Sequence, residues 1–538
     1  MNWMRTIVIP LLLCSTSSVA QERTEAAQDT VQTREVIIGA DLLEREVVDG
    51  ENVRRLVGNV TLRQEDTRLW ARRATQFPNR RDILFTGEVL VVERGDSLRA
   101  DSVLYNERTK VGRARGNVRL SDGDVIVYAP SGLYFTREKR AQFTEGVTLI
   151  DSSATLRSRE GEYWSDDKRA EFYGDVVLDE DRTHLEADSV SYFRETDVSI
   201  ARGRVFIEHL GEEEEVEAEA EPDSLSRTLL FGDRAYNDEM ASFSRMEGRP
   251  LLVQLRSDST GSEVDTLLIR AVQLDVSRSD SLRRLVAIDS VRIWQSDLAA
   301  VADSVVYDRL TSEDDSVHEE VRLFRDPLAW FKTNQVSGDT LLIDAHAGSV
   351  DTLLMRNNAF VARMDTSLER VQQLKGRHLT ALFRNDSLQT LSIGPQAEAI
   401  NFLGDENDEP AGAVKMSADR ITFYFEGDEA SRISAVRDPE STYYSEDLLP
   451  QEFSLDGYQW LPERRPTREG LLEDIVLRDR WGGVDSSPLQ EMAKSDDARP
   501  ALPQDDARHE PPANDEHDPS TSASRQSLPT DNTTSRGD

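Results

Sequence analysis

The chain has 538 residues, 38% of them hydrophobic and 31% charged, and its 64 Lys and Arg against 101 Asp and Glu leave a formal net charge of −37. Such a composition supports a sizeable core. It excludes nucleic acid as a partner, because a nucleic-acid binder must neutralise phosphates with a basic face. A large acidic excess favours solubility and is tolerated where salt screens self-repulsion, as in a halophilic source.

Residues 1–20 read as a signal peptide. Arg5 supplies the positive start, Thr6 to Cys14 a short apolar stretch, and Ser18-Val19-Ala20 a small-residue cleavage pattern. The apolar stretch is too short to span a bilayer, and no later segment has the length and apolarity of a transmembrane helix. Cys14 is the single cysteine. Acylation there would want a small residue before it, and Leu13 stands in that place. After cleavage no disulfide can staple the fold, although an exported compartment would allow one.

From about residue 34 to 210 a 29-residue period governs the chain. Val60, Val89, Val118, Val147, Val176 and Val205 each follow the last by 29, five of them behind a Gly-x pair. Ala71, Ala100, Ala129, Ser158 and Ala187 keep the same step, as do Tyr105, Tyr134, Tyr163 and Tyr192, and Phe85, Ala114, Phe143, Phe172 and Ala201. Repeats of this size that share phase imply a stacked array, because one short unit cannot bury its own apolar face. Within a unit the apolar residues alternate, as in Val118 and Leu120, which is the period of a half-buried strand. The alternation slips by one between Ala100 and Val103, so a bend or bulge is expected near Asp101-Ser102. The recurrent glycine fits a corner where φ is positive or backbones crowd. These signals predict an all-β, elongated, twisted jelly-roll or β-roll with rungs about 4.8 Å apart.

Residues 211–226 read as an acidic insertion around Glu212 to Glu221. A second, diverged roll is expected over 227–475. Asp265 to Ala271 echoes Asp339 to Ala345, and Ala302 to Tyr307 repeats Ala100 to Tyr105. Residues 486–538 are poor in large apolar groups and are expected to be a disordered acidic tail.

The Gly-x-Val-x-Leu units, each followed by an element like Leu98 to Tyr105 or Leu185 to Tyr192, resemble the OstA/LptA-type organic-solvent-tolerance domain. The later stretches Pro327 to Trp330, Gln335 to Thr340, Gln372 to Gly376 and Gln459 to Pro462 resemble the larger OstA-like form. The resemblance covers roughly residues 33–465. It implies a jelly-roll open along one side, a periplasmic location with outer-membrane association as a further option, and non-catalytic binding and relay of lipopolysaccharide. The implied partners are lipopolysaccharide or a related glycolipid and other transport proteins joined by edge-strand addition, with end-to-end self-association as a further option. The candidate groove wall is Phe85, Val89, Val118, Leu120, Phe143, Val147, Leu149, Phe172, Val176 and Leu178. An ordinary dry core is the alternative for those same residues. No run of lipid-facing strands follows residue 470.

No catalytic constellation, cofactor motif or metal-spaced histidine pair is legible, so the chain reads as no enzyme. Two other classes compete with lipid relay. One is an exported β-solenoid scaffold or adhesin without lipid cargo. The other is a polysaccharide-acting β-helix enzyme, for which the recurrent Asp101 and Asp188 are the tempting acids. The simpler reading of those acids is an Asp-Ser corner bonding its own backbone. Trp70 and Trp330 read as core or rim anchors rather than ligand contacts.

Overall fold

A computed structural model describes residues 37–476, apart from residues 49, 65–66, 94–95, 122–124, 151–153, 165, 211–225, 258–263, 280, 297, 313–315, 347–348, 385–386, 406–408 and 428. The expected signal peptide, acidic insertion and tail lie outside the described residues. Among those described, thirty-four strands join one antiparallel sheet. No described helix is long and apolar enough to cross a membrane.

Each 29-residue unit is a pair of long strands. Asp82–Glu93 runs out and Asp96–Asn106 runs back, then Val111–Ser121 and Ile126–Phe135 repeat the course. Consecutive strands pair antiparallel, so each valine marker recurs on every second strand. That corrects the expected rung spacing: a unit advances about 9.6 Å, twice the strand separation of ~4.8 Å. The markers do form rows. Val60 faces Ala71, Val89 faces Ala100, Val118 faces Ala129, Val147 faces Ser158 and Val176 faces Ala187.

The long strands of the first half break register at a recurrent place. The pairing shifts between Thr86 and Val89, between Arg99 and Ser102, and between Arg115 and Val118. Two successive left-handed residues make the bulge: Gly87 at φ +80 and Glu88 at +52, Gly116 at +75 and Asn117 at +49. A bulge adds a residue to one strand and bends it, so aligned bulges crease the whole sheet along one line. The creased sheet splits into two arms. Ser226–Asp238 pairs with Phe243–Glu247 along one arm and with Leu251–Ser257 along the other.

The arms face each other across a shared apolar interior. Val89, Val118 and Leu149 from one arm and Phe85, Ala114, Phe143 and Phe172 from the other belong to one core. Large and small residues alternate across strands. A Cβ on Gly132 would sit 3.1 Å from the Phe143 ring, and one on Gly161 3.3 Å from the Phe172 ring. That alternation lets each phenyl ring fill the space its neighbours leave.

The meander continues across the expected division near residue 211. Val198–Leu210 and Ser226–Asp238 pair on both arms, from Val198 opposite Asp238 to Leu210 opposite Arg227. Asp303 takes the corner place that Asp101 has earlier, and Arg325 Nη1 donates to its Oδ2 at 2.9 Å. The other sequence echo does not reflect structural equivalence. Val264–Arg270 lies on the arm of Leu251–Ser257, whereas Thr340–His346 lies on the opposite arm beside Val317–Phe324. Both stretches need buried leucines, and alternation alone does not tell the two arms apart.

The described chain ends in a strap. After Glu440–Ser445 it runs back over the outside of the arm that carries Val336 and Val361. Leu455 and Trp460 pack with Phe360, Ala362, Ile400 and Ala413. Leu461 packs with Leu328 and Trp330. Two glutamines anchor the strap's backbone. Gln335 Nε2 donates to Gln459 O at 2.8 Å and its Oε1 accepts from Leu461 N at 2.9 Å, while Gln373 Oε1 accepts from Leu455 N at 2.8 Å. The helix Arg468–Val476 then reaches the strand Val264–Arg270. Trp330 is buried beneath the strap, and Trp70 stands 38% exposed.

Candidate functional site

The space between the arms is the candidate site. One arm carries on its inner face the row Leu98, Leu120, Leu149, Leu156, Leu178 and Leu185, and the other the row Tyr105, Tyr134, Tyr163 and Tyr192. The tyrosine row closes along the array: Tyr134 is 43% exposed, Tyr163 5% and Tyr192 3%. Burial, with Asp197 accepting from the Tyr192 hydroxyl at 2.9 Å, raises that phenol well above its ordinary value, so it stays a neutral donor.

Beyond Tyr192 a small apolar recess lies between the arms. Leu178, Ile207 and Leu252 line it from one arm and Val190, Met246 and Leu274 from the other. Polar groups gather at its edges. Ser244 Oγ donates to Asn237 Oδ1 at 2.7 Å, and Thr183 Oγ1 meets His209 Nδ1 at 3.1 Å. Arg245 lines the recess and is held by Asp275 through two contacts of 2.8 Å. Among the described residues that line it there is no carboxylate.

All ten sequence-chosen wall residues lie on the inner face. Phe85, Val89, Val118, Phe143, Val147, Leu149, Phe172, Val176 and Leu178 are buried, and Leu120 is half-buried at the lip. Nine of them pack in the filled interior, and Leu178 lines the recess. The other recess residues lie after residue 178, several of them past the last 29-residue marker, where periodicity no longer singles them out.

The corner acids sit on the outside of the crease. Asp101 and Asp188 are exposed. Asn117 Nδ2 donates to Asp101 Oδ2 at 3.0 Å, and Arg204 Nε donates to Asp188 Oδ1 at 2.7 Å. Their partners are therefore side chains of the next strand, not their own backbone as the Asp-Ser pattern suggested. Arg72 with Glu88, Arg159 with Asp175 and Asn59 with Asp41 repeat the arrangement, so polar pairs run along the crease.

Sequence spacing also concealed a histidine pair. Strand register sets His318 directly opposite His346, with ring centroids 4.6 Å apart. They stand 28 positions apart in sequence, a separation that no short metal motif encodes. A third histidine, His184, lies on the outer face between Asp179 and Glu186. Burial opposes its charge, but the two carboxylates outweigh that and raise its pKa.

Residues 32–188 match the family model described as OstA-like protein. Among solved structures, the chain is similar to the crystal structure of LptH, the LptA homologous periplasmic component of the conserved lipopolysaccharide transport device from Pseudomonas aeruginosa. The identity is 14%, over 26% of this chain and 83% of that one, with a TM-score of 0.14. No curated protein matches. The corner-and-meander strands of residues 32–188 are thus the part of the chain that matches an OstA-like protein.

Proposed function

We propose that this chain binds the acyl chains of lipopolysaccharide, or of a related glycolipid, between its arms and relays them across the periplasm without catalysis. The observation that carries the reading is the apolar recess between the arms, joined to the OstA-like match. Burial of hydrocarbon there is non-directional and contributes about 0.8 kcal/mol per methylene, which suits chains of varied length. The polar edge at Ser244 and Asn237 would meet the sugar end. The groove wall proposed from sequence, from Phe85 to Leu178, extends the same inner face toward the open tyrosine row.

The ends of the sheet favour partners of the same kind. Ile37, Ile38, Leu42, Leu43 and Val47 are 49–68% exposed on the first two strands, and Ile433, Val436 and Tyr443 are 46–58% exposed on the last two. Both sets lie on terminal strands whose outer edges no described strand covers. Unpaired apolar edges add strands from another chain. Other transport proteins, or a second copy, would join there and extend the interior. An outer-membrane association would follow from such a chain of contacts.

The rival readings differ in one measurement. A photoreactive residue at Leu252 or Leu274 should crosslink to lipopolysaccharide, while one at exposed Arg108 on a hairpin should not. Equal labelling at all three positions, or none at 252 and 274 in folded protein, would favour a scaffold without cargo. The enzymatic reading draws no support from Asp101 and Asp188, which face away from the recess.

A further inference from the structure

On the outer face of one arm, at the end away from the crease, four side chains form a line. His318 Nε2 is 3.0 Å from Asp344 Oδ1. His318 Nδ1 is 3.2 Å from His346 Nε2, and His346 Nδ1 meets Asp351 Oδ2 at 2.5 Å. The outer nitrogen of each ring is therefore held toward a carboxylate. The two nitrogens that face each other, His318 Nδ1 and His346 Nε2, are the pair left between those carboxylates.

The backbone is shaped to make this line. Asp344 pairs with Thr352 and Ala345 with Val350, so Asp351 is the extra residue of a bulge. Bulges re-aim side chains, and this one turns Asp351 onto His346. Histidine that binds a metal characteristically donates its other N–H to a carboxylate, which fixes the ring and raises its basicity. His346 has such a partner in Asp351, and His318 has Asp344 close by. Two nitrogens bound to one tetrahedral zinc at about 2.0–2.1 Å stand about 3.3 Å apart, close to the 3.2 Å observed.

We infer that His318 Nδ1 and His346 Nε2 form a site for one divalent transition-metal ion of the kind imidazole favours, zinc or copper(II). Asp351 orients His346, and Asp351 and Asp344 supply counter-charge. Among the described residues no group of three or more His, Cys, Asp and Glu is placed to hold a metal. The protein thus gives two ligands and water completes the shell, which the 32% and 59% side-chain exposure of the two histidines allows. The site is separate from the recess and does not depend on the lipid reading.

The test is calorimetric titration of the full chain with zinc chloride at about pH 7.5 and about pH 5.5, on either side of the ordinary imidazole pKa. At the higher pH wild type should show one zinc event that His318→Gln and His346→Gln each weaken at least about tenfold, with melting temperatures unchanged. Asp351→Asn should weaken it by roughly 10- to 100-fold. Binding should fall at the lower pH, where protons compete for the imidazoles. With copper(II), the spin-resonance spectrum should show two coupled nitrogens in wild type and one in either variant. Identical isotherms for wild type and both histidine variants would overturn the proposal by placing any zinc elsewhere. A proton taken up by the pair with no zinc event would overturn it in favour of a shared proton only.

Discussion

The Asp101 carboxylate lies directly over the α-carbon of Gly116, so closely that a β-carbon at 116 would stand 2.2 Å from Asp101 Oδ2. Asp188 covers Gly203 and Asp41 covers Gly58 in the same way, while the stems of Arg72 and Arg159 cover Gly87 and Gly174. The glycine in Gly-x-Val thus meets two demands: a positive φ, and room for the side chain of the preceding strand.

These two demands separate in a pair of substitutions. Gly116→Ala meets both, with φ +75 and the Asp101 contact, whereas Gly146→Ala meets only the first, with φ +103 and nothing within 4 Å. Gly146→Ala should cost about 1–2 kcal/mol and Gly116→Ala about 2–4 kcal/mol. Urea melts of the two variants check the order, and equal losses would remove the steric argument.

The polar pairs along the crease should contribute far less. Arg204 and its partners Asp188 and Asp175 are 40–52% exposed, so solvent screens them. Arg204→Ala should cost under about 1 kcal/mol, and less in high salt. A loss above about 2 kcal/mol would mean that the row acts as a coupled network.

Asp308 is different because its side chain is only 6% exposed between Arg284 and Arg322. The Arg284 hydrogen bonds hold its pKa below the ordinary carboxylate value against the opposing effect of burial, with Arg322 adding to the lowering. Asp308→Ala leaves Arg284 without its two-pronged acceptor, while Arg322 keeps Glu320, and should cost roughly 1.5–3 kcal/mol. Because the native pKa lies below the unfolded one, the stabilisation is complete at neutral pH. It is lost as pH falls from the ordinary carboxylate range through the lowered native value. Melts from about pH 7 to about pH 2 should show wild type converging on the variant, and parallel curves would contradict the assignment.

Depth within the interior decides what a charge does there. Val118 is 1% exposed in the filled core, so Val118→Asp should unfold the roll at a cost of several kcal/mol. Leu120, half-buried at the lip, should accept Leu120→Arg, whose stem can cover the apolar wall while its head reaches water. Circular dichroism and melting of the two variants test this. Loss of fold in both would show that the lip is closed.

Truncations should differ as sharply. Ending the chain after Asp485 removes residues expected from composition to be structureless and should leave the melting temperature unchanged. Ending it after Ser445 strips the strap from Trp330, Phe360 and Ile400 and should lower it by many degrees. Equal melting temperatures for the two truncations would contradict the strap's role.

The first half was legible because its units have one length and one corner residue. Gly87, Gly116, Gly174 and Gly203 mark the crease at a fixed step, and the slip in alternation marks the bulge. In the second half the same crease is made by Asp289-Ser290, Arg325-Asp326, Asn357-Asn358 and Arg437-Asp438. Asn and Asp tolerate left-handed backbone, so the glycine signal disappears while the geometry persists. Strand lengths vary there as well, which erases the period. The recess escaped because its lining mixes residues from both arms. The alternation that identifies Leu252 and Leu274 as inward-facing does not say that a void lies between them. The strap escaped for a simpler reason: Gln335 and Leu461 meet across 126 residues, and no local pattern joins them.

That long reach bears on the order in which the molecule can assemble. An array held only by neighbours can form progressively from its first hairpin and can fray from either end. The first half is such an array. In the second half, Arg465 Nη1 donates to Lys332 O across 133 residues, and the surface around Trp330 has no cover until that segment arrives. Contacts of such sequence separation form late. A chain that emerges from its N-terminus would therefore complete its first half early, while its second half waited for residue 461. The strap is a clasp closed last, which turns several separately fraying hairpins into one unit that opens all together.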